Sequence, residues 1–317
     1  MKKEKMTNNR LYIFFGCFIE YSLHPLYEYM KEQGYNCIEI TTNTCNDMKK
    51  ALIELNAKDN ILITSAHTFL DETYDYFQNT PVNLSVLEAI DILKPIKSVY
   101  YPHDLATLVH EFDIPWINSI FDIILFPFDG YAHLACNGKP IYNVGWIKKI
   151  HKTGSGTKFR VGHGISDIYY YEKIGLDYIY ETFKTVWDQG IIIKTSLPEH
   201  WDQYRSYFEK KNVKYIDPSK SIFELIDSCE IMLTNSLTSV NIESSLSGRF
   251  TINMLDGIFN LSEHEKYFKG LPNLKIMSIN DTAELLRDYF NGNYIPSQGE
   301  DVLKQFNFKL AVDIITA

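Results

Sequence analysis

Short apolar runs alternate with helix-patterned stretches along this chain, and that alternation restricts the fold more than any single motif does. Strands are expected at Leu11–Phe15 (LYIFF), 37–40, 61–64 (ILIT), 98–101 (SVYY), 121–126 (FDIILF) and 141–144 (IYNV). Helices are expected at 23–34, Met48–Leu55 and 84–93, with Pro25 tolerated in a first turn and Gly34 as a stop. Runs of this length suffice for buried strands, and strands alternating with helices build a parallel, doubly wound sheet.

The pattern halts at residues 149–158, KIHKTGSGTK, which are polar and glycine-rich and read as a linker. It then restarts, with strands at 159–162, 191–194 (IIIK), 213–216, 231–233, Phe250–Met254 and Leu274–Met277. Helices are expected at 168–187, 201–211, 221–229, 237–246, 281–290 and 300–315. A chain of 317 residues, 45% of them hydrophobic, can fill two such cores. The expected organisation is an N-terminal Rossmann-like domain over 1–148, the linker, a second Rossmann-like domain over 159–297, and a terminal helix over 298–317. Two doubly wound α/β domains then face one another across a cleft, where ligands bind at the C-terminal ends of the strands.

A net charge of −9 argues against a general nucleic-acid binder. Five scattered cysteines without a CxxC read as reduced thiols, not as a disulfide framework or a zinc site. The basic opening MKKEKMTNNR lacks the apolar core of a secretory signal, and no apolar run reaches transmembrane length. A cytoplasmic location is expected, with room for peripheral contact at the inner face of the membrane. No DxD, HExxH or cysteine pair marks a metal site, so no metal and no cofactor are expected.

One stretch carries the most chemistry. From Glu230 to Asp256 the sequence EIMLTNSLTSVNIESSLSGRFTINMLD reads as strand, turn, helix and strand. Thr234, Asn235 and Ser236 are turn and N-cap formers, and Gly248 suits a helix C-terminus. A strand feeding a Ser/Thr-rich turn and a helix aims free backbone N–H groups beyond the sheet, where a phosphate can sit. Glu243, two turns in, is then placed to meet a ribose; a plain surface glutamate is the competing reading.

Three segments resemble the GT-B glycosyltransferase superfamily, which also contains CDP-glycerol glycerophosphotransferases and UDP-N-acetylglucosamine 2-epimerases. IESSLSGRFTINM (residues 242–254) is similar to the family segment in which a glutamate binds the nucleotide ribose, with Glu243 in that place. SLHPLYEYMKEQGYNCIEI (22–40) resembles the family's first helix, with His24 near its histidine, and YYPHDL (100–105) resembles a strand-end His-Asp. Departures are visible too. The position eight before Glu243, where retaining members often carry another glutamate, is Asn235; only Gly16 remains of the first glycine-rich loop; and KTSLPEHW (194–201) replaces the glycerophosphotransferases' HP dipeptide.

The resemblance implies an inverting, metal-independent transfer of a sugar from a nucleotide-diphosphate sugar to a hydroxyl of a glycan or lipid-linked acceptor, of the kind found in bacterial glycan biosynthesis. Such a transfer needs a base near the acceptor and donors for the leaving diphosphate. His103 or Asp104, at a strand end, is the expected base, and His24 is a further one; a helix-capping Asp104 beside a packed His103 is the structural alternative. Ser236, Thr238, Ser239 and Lys194 are the expected diphosphate donors, His163 and Gly164 phosphate or sugar contacts, and Asp256 a sugar contact. A CDP-polyol phosphotransferase, a 2-epimerase-like enzyme and a non-catalytic nucleotide-sugar-binding protein remain as alternatives.

Overall fold

The structure, a computed structural model, describes residues 10–16, 22–41, 44, 47–55, 58–65, 73–75, 80–82, 84–102, 120–127, 140–148, 150, 159–165, 177, 181–184, 191–195, 201–217, 219–235, 239–254, 271 and 273–317. The chain packs as two compact units. Unit 1 is Met1–Lys149 together with Lys304–Ala317, and unit 2 is Ile150–Leu303.

Unit 1 is built on strands β1 (Leu11–Phe15), β2 (Asn36–Ile40), β3 (Asn60–Thr64), β6 (Lys97–Tyr100), β7 (Ile123–Phe126) and β8 (Ile141–Asn143), with the hairpin β4 (Thr73–Asp75) and β5 (Thr80–Val82) set apart. The six strands are all parallel, in the order β2-β1-β3-β6-β7-β8. Ile13, Phe14, Leu62, Ile63, Val99 and Leu125 are completely buried, as central strands covered on both faces require. Helices α1 (His24–Glu32), α2 (Met48–Leu55) and α3 (Val86–Leu93) connect them. The start of α3 is a capping box: Glu88 N–H donates to Ser85 Oγ, and Ser85 N–H donates to the Glu88 carboxylate, both at 3.1 Å. Such a box contributes about 1 kcal/mol.

Unit 2 carries β9 (Phe159–Ile165), β10 (Ile191–Thr195), α4 (Trp201–Lys210), β11 (Lys214–Tyr215), α5 (Ile222–Ser228), β12 (Cys229–Asn235), α6 (Ser239–Leu246), β13 (Phe250–Met254), β14 (Leu274–Met277) and α7 (Ile279–Phe290). Its sheet is also parallel, in the order β11-β10-β9-β12-β13-β14. Alternation along the strands separates two faces. Val161, Ile193, Leu233 and Ile252 join Phe208 of α4 and Ile279, Ala283 and Leu286 of α7 in one apolar core. Gly162, Gly164, Met232 and Thr251 point the other way, toward α5 and α6. A Cβ at Gly162 would lie 2.9 Å from Leu225 of α5, and one at Gly164 would lie 3.2 Å from Val240 of α6.

Three elements differ from the sequence-based expectation. The helix expected at 300–315 begins only at Phe308, as α8 (Phe308–Thr316). The residues before it are held extended by backbone bonds to other parts of the chain. Gly299 N–H donates to Gly248, Val302 and Leu303 donate to Leu246, and Phe306 donates to Trp146. The second difference is β9, which runs on to Ile165, so His163 and Gly164 lie inside a strand and not in a turn after it. The third is β12, which continues through Thr234 and Asn235.

α8 completes unit 1. Phe308 packs on Tyr29 of α1 with ring centroids 5.2 Å apart, and Lys97 Nζ donates to the Ile315 carbonyl at 3.2 Å. Just ahead of α8, Trp146 exchanges bonds with Lys304 and Phe306 and is fully buried beside Tyr101.

Candidate functional site

Strand order fixes where a ligand meets an open parallel sheet: outside the C-terminal strand ends, where neighbouring strands send their connections to opposite faces. In unit 2, with its order of the dinucleotide-binding type, that point lies between β9 and β12. In unit 1 it lies between β1 and β3.

At the unit 2 point the paired strands place four residues in one row on the α5/α6 face. Lys194 of β10 pairs with Gly164 of β9, Gly164 with Thr234 of β12, and Thr234 with Asn253 of β13. Lys194, Thr234 and Asn253 are all buried. Thr234 Oγ1 bonds the Asn241 side-chain oxygen on α6 and also donates to the Ile252 carbonyl at 3.2 Å. One turn on, Ser244 Oγ and Thr251 Oγ1 are 2.8 Å apart. Hydroxyl bonds and the missing side chain at Gly164 thus draw α6 close to the sheet. Burial pushes the Lys194 ammonium down from its ordinary range, against the charges of Asp217 and Glu224, which hold it up.

Helix α6 is buried on every side from Val240 to Leu246. Glu243 is 1% exposed, so it is not a surface residue. Holding a carboxylate at such a depth is costly unless polar groups compensate it, which is the mark of a constrained site more than of a solvated helix face. Ser239 opens the helix, and its side chain is partly exposed. His163 takes the opposite face: its sheet neighbours are Ile193 and Leu233, and burial among them pushes the imidazole down to about 3. It is therefore neutral at ordinary pH.

In unit 1, Gly16 follows β1 with φ +128°. Ser22 Oγ donates to Ser65 Oγ at 2.8 Å, and Thr64 Oγ1 donates to the Phe15 carbonyl at 2.7 Å, which ties the ends of β1 and β3 together. His24, the first residue of α1, has Nδ1 2.8 Å from Glu39 Oε1 on β2. His103, Asp104, Ser236, Thr238 and Asp256 lie outside the described residues.

Sequence reasoning missed Thr234 as a strand residue, and Asn241, Asn253 and Glu39 altogether. A threonine at the end of an apolar run, seven residues before an asparagine, was the available signal for the first pair. Among the described residues no three His, Cys, Asp or Glu side chains gather into a metal-binding group, and no helix is long and apolar enough to cross a membrane.

No protein-family model and no curated protein sequence matches this chain. Solved structures do. MurG of Acinetobacter baumannii matches with a TM-score of 0.52 at 9% identity, over 97% of this chain and 99% of that one. The S. aureus MnaA–UDP structure matches with a TM-score of 0.53 at 10% identity, over 92% of this chain and 93% of that one. The spinosyn rhamnosyltransferase SpnG matches with a TM-score of 0.51 at 10% identity, over 90% and 91%. Their breadth takes in both units, each with six parallel strands and a switch point at the strand ends: the chain has the GT-B fold, two Rossmann-like α/β domains in succession.

Proposed function

We propose that this protein is a glycosyltransferase that moves a sugar from a nucleotide-diphosphate sugar to a hydroxyl of a glycan or lipid-linked acceptor, with inversion and without a metal ion. The observation that carries the reading is the unit 2 switch point. There the row Lys194–Gly164–Thr234–Asn253 and the start of α6 converge, with Glu243 buried in the helix behind them. In this reading Ser239, with Ser236 and Thr238 before it, presents N–H and hydroxyl donors to the diphosphate, and the positive end of the helix takes up its charge. Lys194 adds a cation, Glu243 accepts from the ribose hydroxyls, and Asp256 meets the sugar. His163 is left out of this set because it faces away from α6. Unit 1 supplies the base, from His103, Asp104 or His24. Two solved structures of the same fold support a nucleoside diphosphate as ligand, since MnaA was solved with UDP and SpnG with thymidine diphosphate.

A thermal-shift series with UDP, TDP, CDP, GDP and ADP tests the reading, because a ligand of the native state raises its melting temperature by mass action. At least one should respond. Glu243→Gln keeps the shape of the side chain and removes its charge. It should weaken the responding nucleotide by about 1.5–3 kcal/mol, the worth of hydrogen bonds to a charged acceptor. A silent series, or an unchanged affinity in Glu243→Gln, overturns the assignment.

A further inference from the structure

Helix α6 has little reason of its own to form. It has eight residues, and it begins Ser239, Val240, Asn241, Ile242. Two of these are β-branched, and two carry side chains that compete for backbone hydrogen bonds. A helix so short and so composed takes its place from what it packs on. On the sheet side, Val240 lies over Gly164, Asn241 bonds Thr234 of β12, and Ser244 meets Thr251 of β13. The second turn has further anchors. The N–H groups of Val302 and Leu303 donate to the Leu246 carbonyl, and Gly248 caps the end. In the first turn, Asn241 and Thr234 make a polar tie that is buried at both ends. Because Thr234 Oγ1 also meets the Ile252 carbonyl, this one side chain of β12 touches α6 and β13 together.

Asn241 and Glu243 are two residues apart, which is about 200° around a helix, so they leave α6 on nearly opposite sides. A helix that turns about its axis swings both, and a bond that fixes one fixes the other. Apolar packing is non-directional and holds α6 down without fixing that rotation, whereas a hydrogen bond has a required direction. We infer that Thr234 and Asn241 are positioning residues that set the rotation of α6 against β12 and β13, and so aim Glu243 and the N–H groups of the helix start at a nucleoside diphosphate. This deepens the glycosyltransferase reading and, for the nucleotide, rests on it. A hydroxyl–amide pair suits the task because it adds no charge beside the Glu243 carboxylate or the diphosphate.

Four variants test the pair. Thr234→Val keeps the volume and removes the hydroxyl, and Thr234→Ser keeps the hydroxyl. Asn241→Ala removes the amide while raising the helix propensity of its position. Thr251→Val removes a buried hydroxyl that meets the same helix at its second turn. The first measurement is amide hydrogen exchange on the protein alone. In a helix each N–H donates to the carbonyl four residues back, so the Glu243 amide closes the first turn of α6 and reports its opening. Thr234→Val and Asn241→Ala should speed exchange there at least about tenfold over Thr251→Val, as loss of one hydrogen bond implies. Thr234→Ser should exchange like the unaltered protein. Equal rates at Glu243 in Thr234→Val and Thr251→Val overturn the tie, and Asn241→Ala carries the comparison should Thr234→Val not fold.

The second measurement is affinity for UDP, TDP, CDP, GDP and ADP. For a nucleotide that binds, Thr234→Val and Asn241→Ala should raise Kd at least about tenfold, and Thr234→Ser should recover the loss. Thr251→Val should change Kd by less than about twofold, although it removes a bond of the same kind. Equal affinities of Thr234→Val and Thr251→Val overturn the positioning role and leave the pair a contributor to stability alone. If the unaltered protein binds none of the five, the glycosyltransferase reading fails, and exchange at Glu243 alone decides the pair.

Discussion

Acid should destabilise unit 2 through one buried histidine. In the folded protein burial holds His163 down at about 3, whereas an unfolded histidine has the ordinary value of 6.5. Between these values the unfolded chain binds a proton that the folded chain refuses, so stability falls as pH falls through that window. Above 6.5 both states are neutral at this site and its contribution is flat. The full acid-side loss is on the order of 5 kcal/mol, a large share of the 5–15 kcal/mol typical of a domain. Urea unfolding of unit 2 followed from pH 7 to pH 4 should show the decline, and His163→Leu should remove most of it, since Ile193 and Leu233 already provide an apolar setting. Parallel pH profiles for the two proteins would show that the imidazole takes its proton without disturbing the fold.

The second large effect is expected at Gly248. This residue ends α6 in the left-handed region, at φ +78°. Its N–H donates to Ser245 and that of Arg249 to Ser244, the paired bonds of a Schellman motif. A Cβ here would lie 2.6 Å from the Gly299 carbonyl oxygen, and the contact atom is backbone, which cannot swing away. Gly292 provides the comparison. It has nearly the same backbone, at φ +80°, but open space where the Cβ would go. Gly292→Ala should therefore cost about 1 kcal/mol, the conformational term alone. Gly248→Ala should cost about 3 kcal/mol or more, because the segment around Gly299 must move off the end of α6. Under the proposed function, in which Glu243 of α6 contacts the nucleotide, the same variant should also weaken nucleotide binding, whereas Gly292→Ala should not. Equal melting temperatures for the two alanine variants would refute the steric argument.

The α/β organisation was legible because central strands leave a local trace: LYIFF and ILIT are mostly apolar and lie covered on both faces. Local chemistry also marked the stop at Gly248. What stayed hidden depends on partners distant in sequence. The segment before α8 looks helical by composition but is extended, because Leu246, Gly248 and Trp146 offer it backbone bonds that a helix would forgo. Thr234 and Asn241 become a pair only once β12 and α6 are packed. Glu39 finds His24 across a strand and a helix, and no spacing rule connects them. Glu243 stood out in the sequence for its place in the strand–turn–helix unit, but its depth comes from the burial of α6 on all sides, which a helix with Ser244 and Ser245 does not announce.

Unit 1 is discontinuous, and synthesis on the ribosome gives that a temporal meaning. Residues 1–149 emerge first, yet they lack α8, whose Ala311, Val312 and Ile315 are buried. All of residues 150–303 must be made before the missing piece appears. Unit 2, contiguous in sequence, can close as soon as it leaves the exit tunnel, while the earlier-made sheet waits with part of its apolar surface uncovered. Completion of unit 1 thus waits on the making of unit 2, and the apolar surface that Ala311, Val312 and Ile315 cover stays open until α8 arrives.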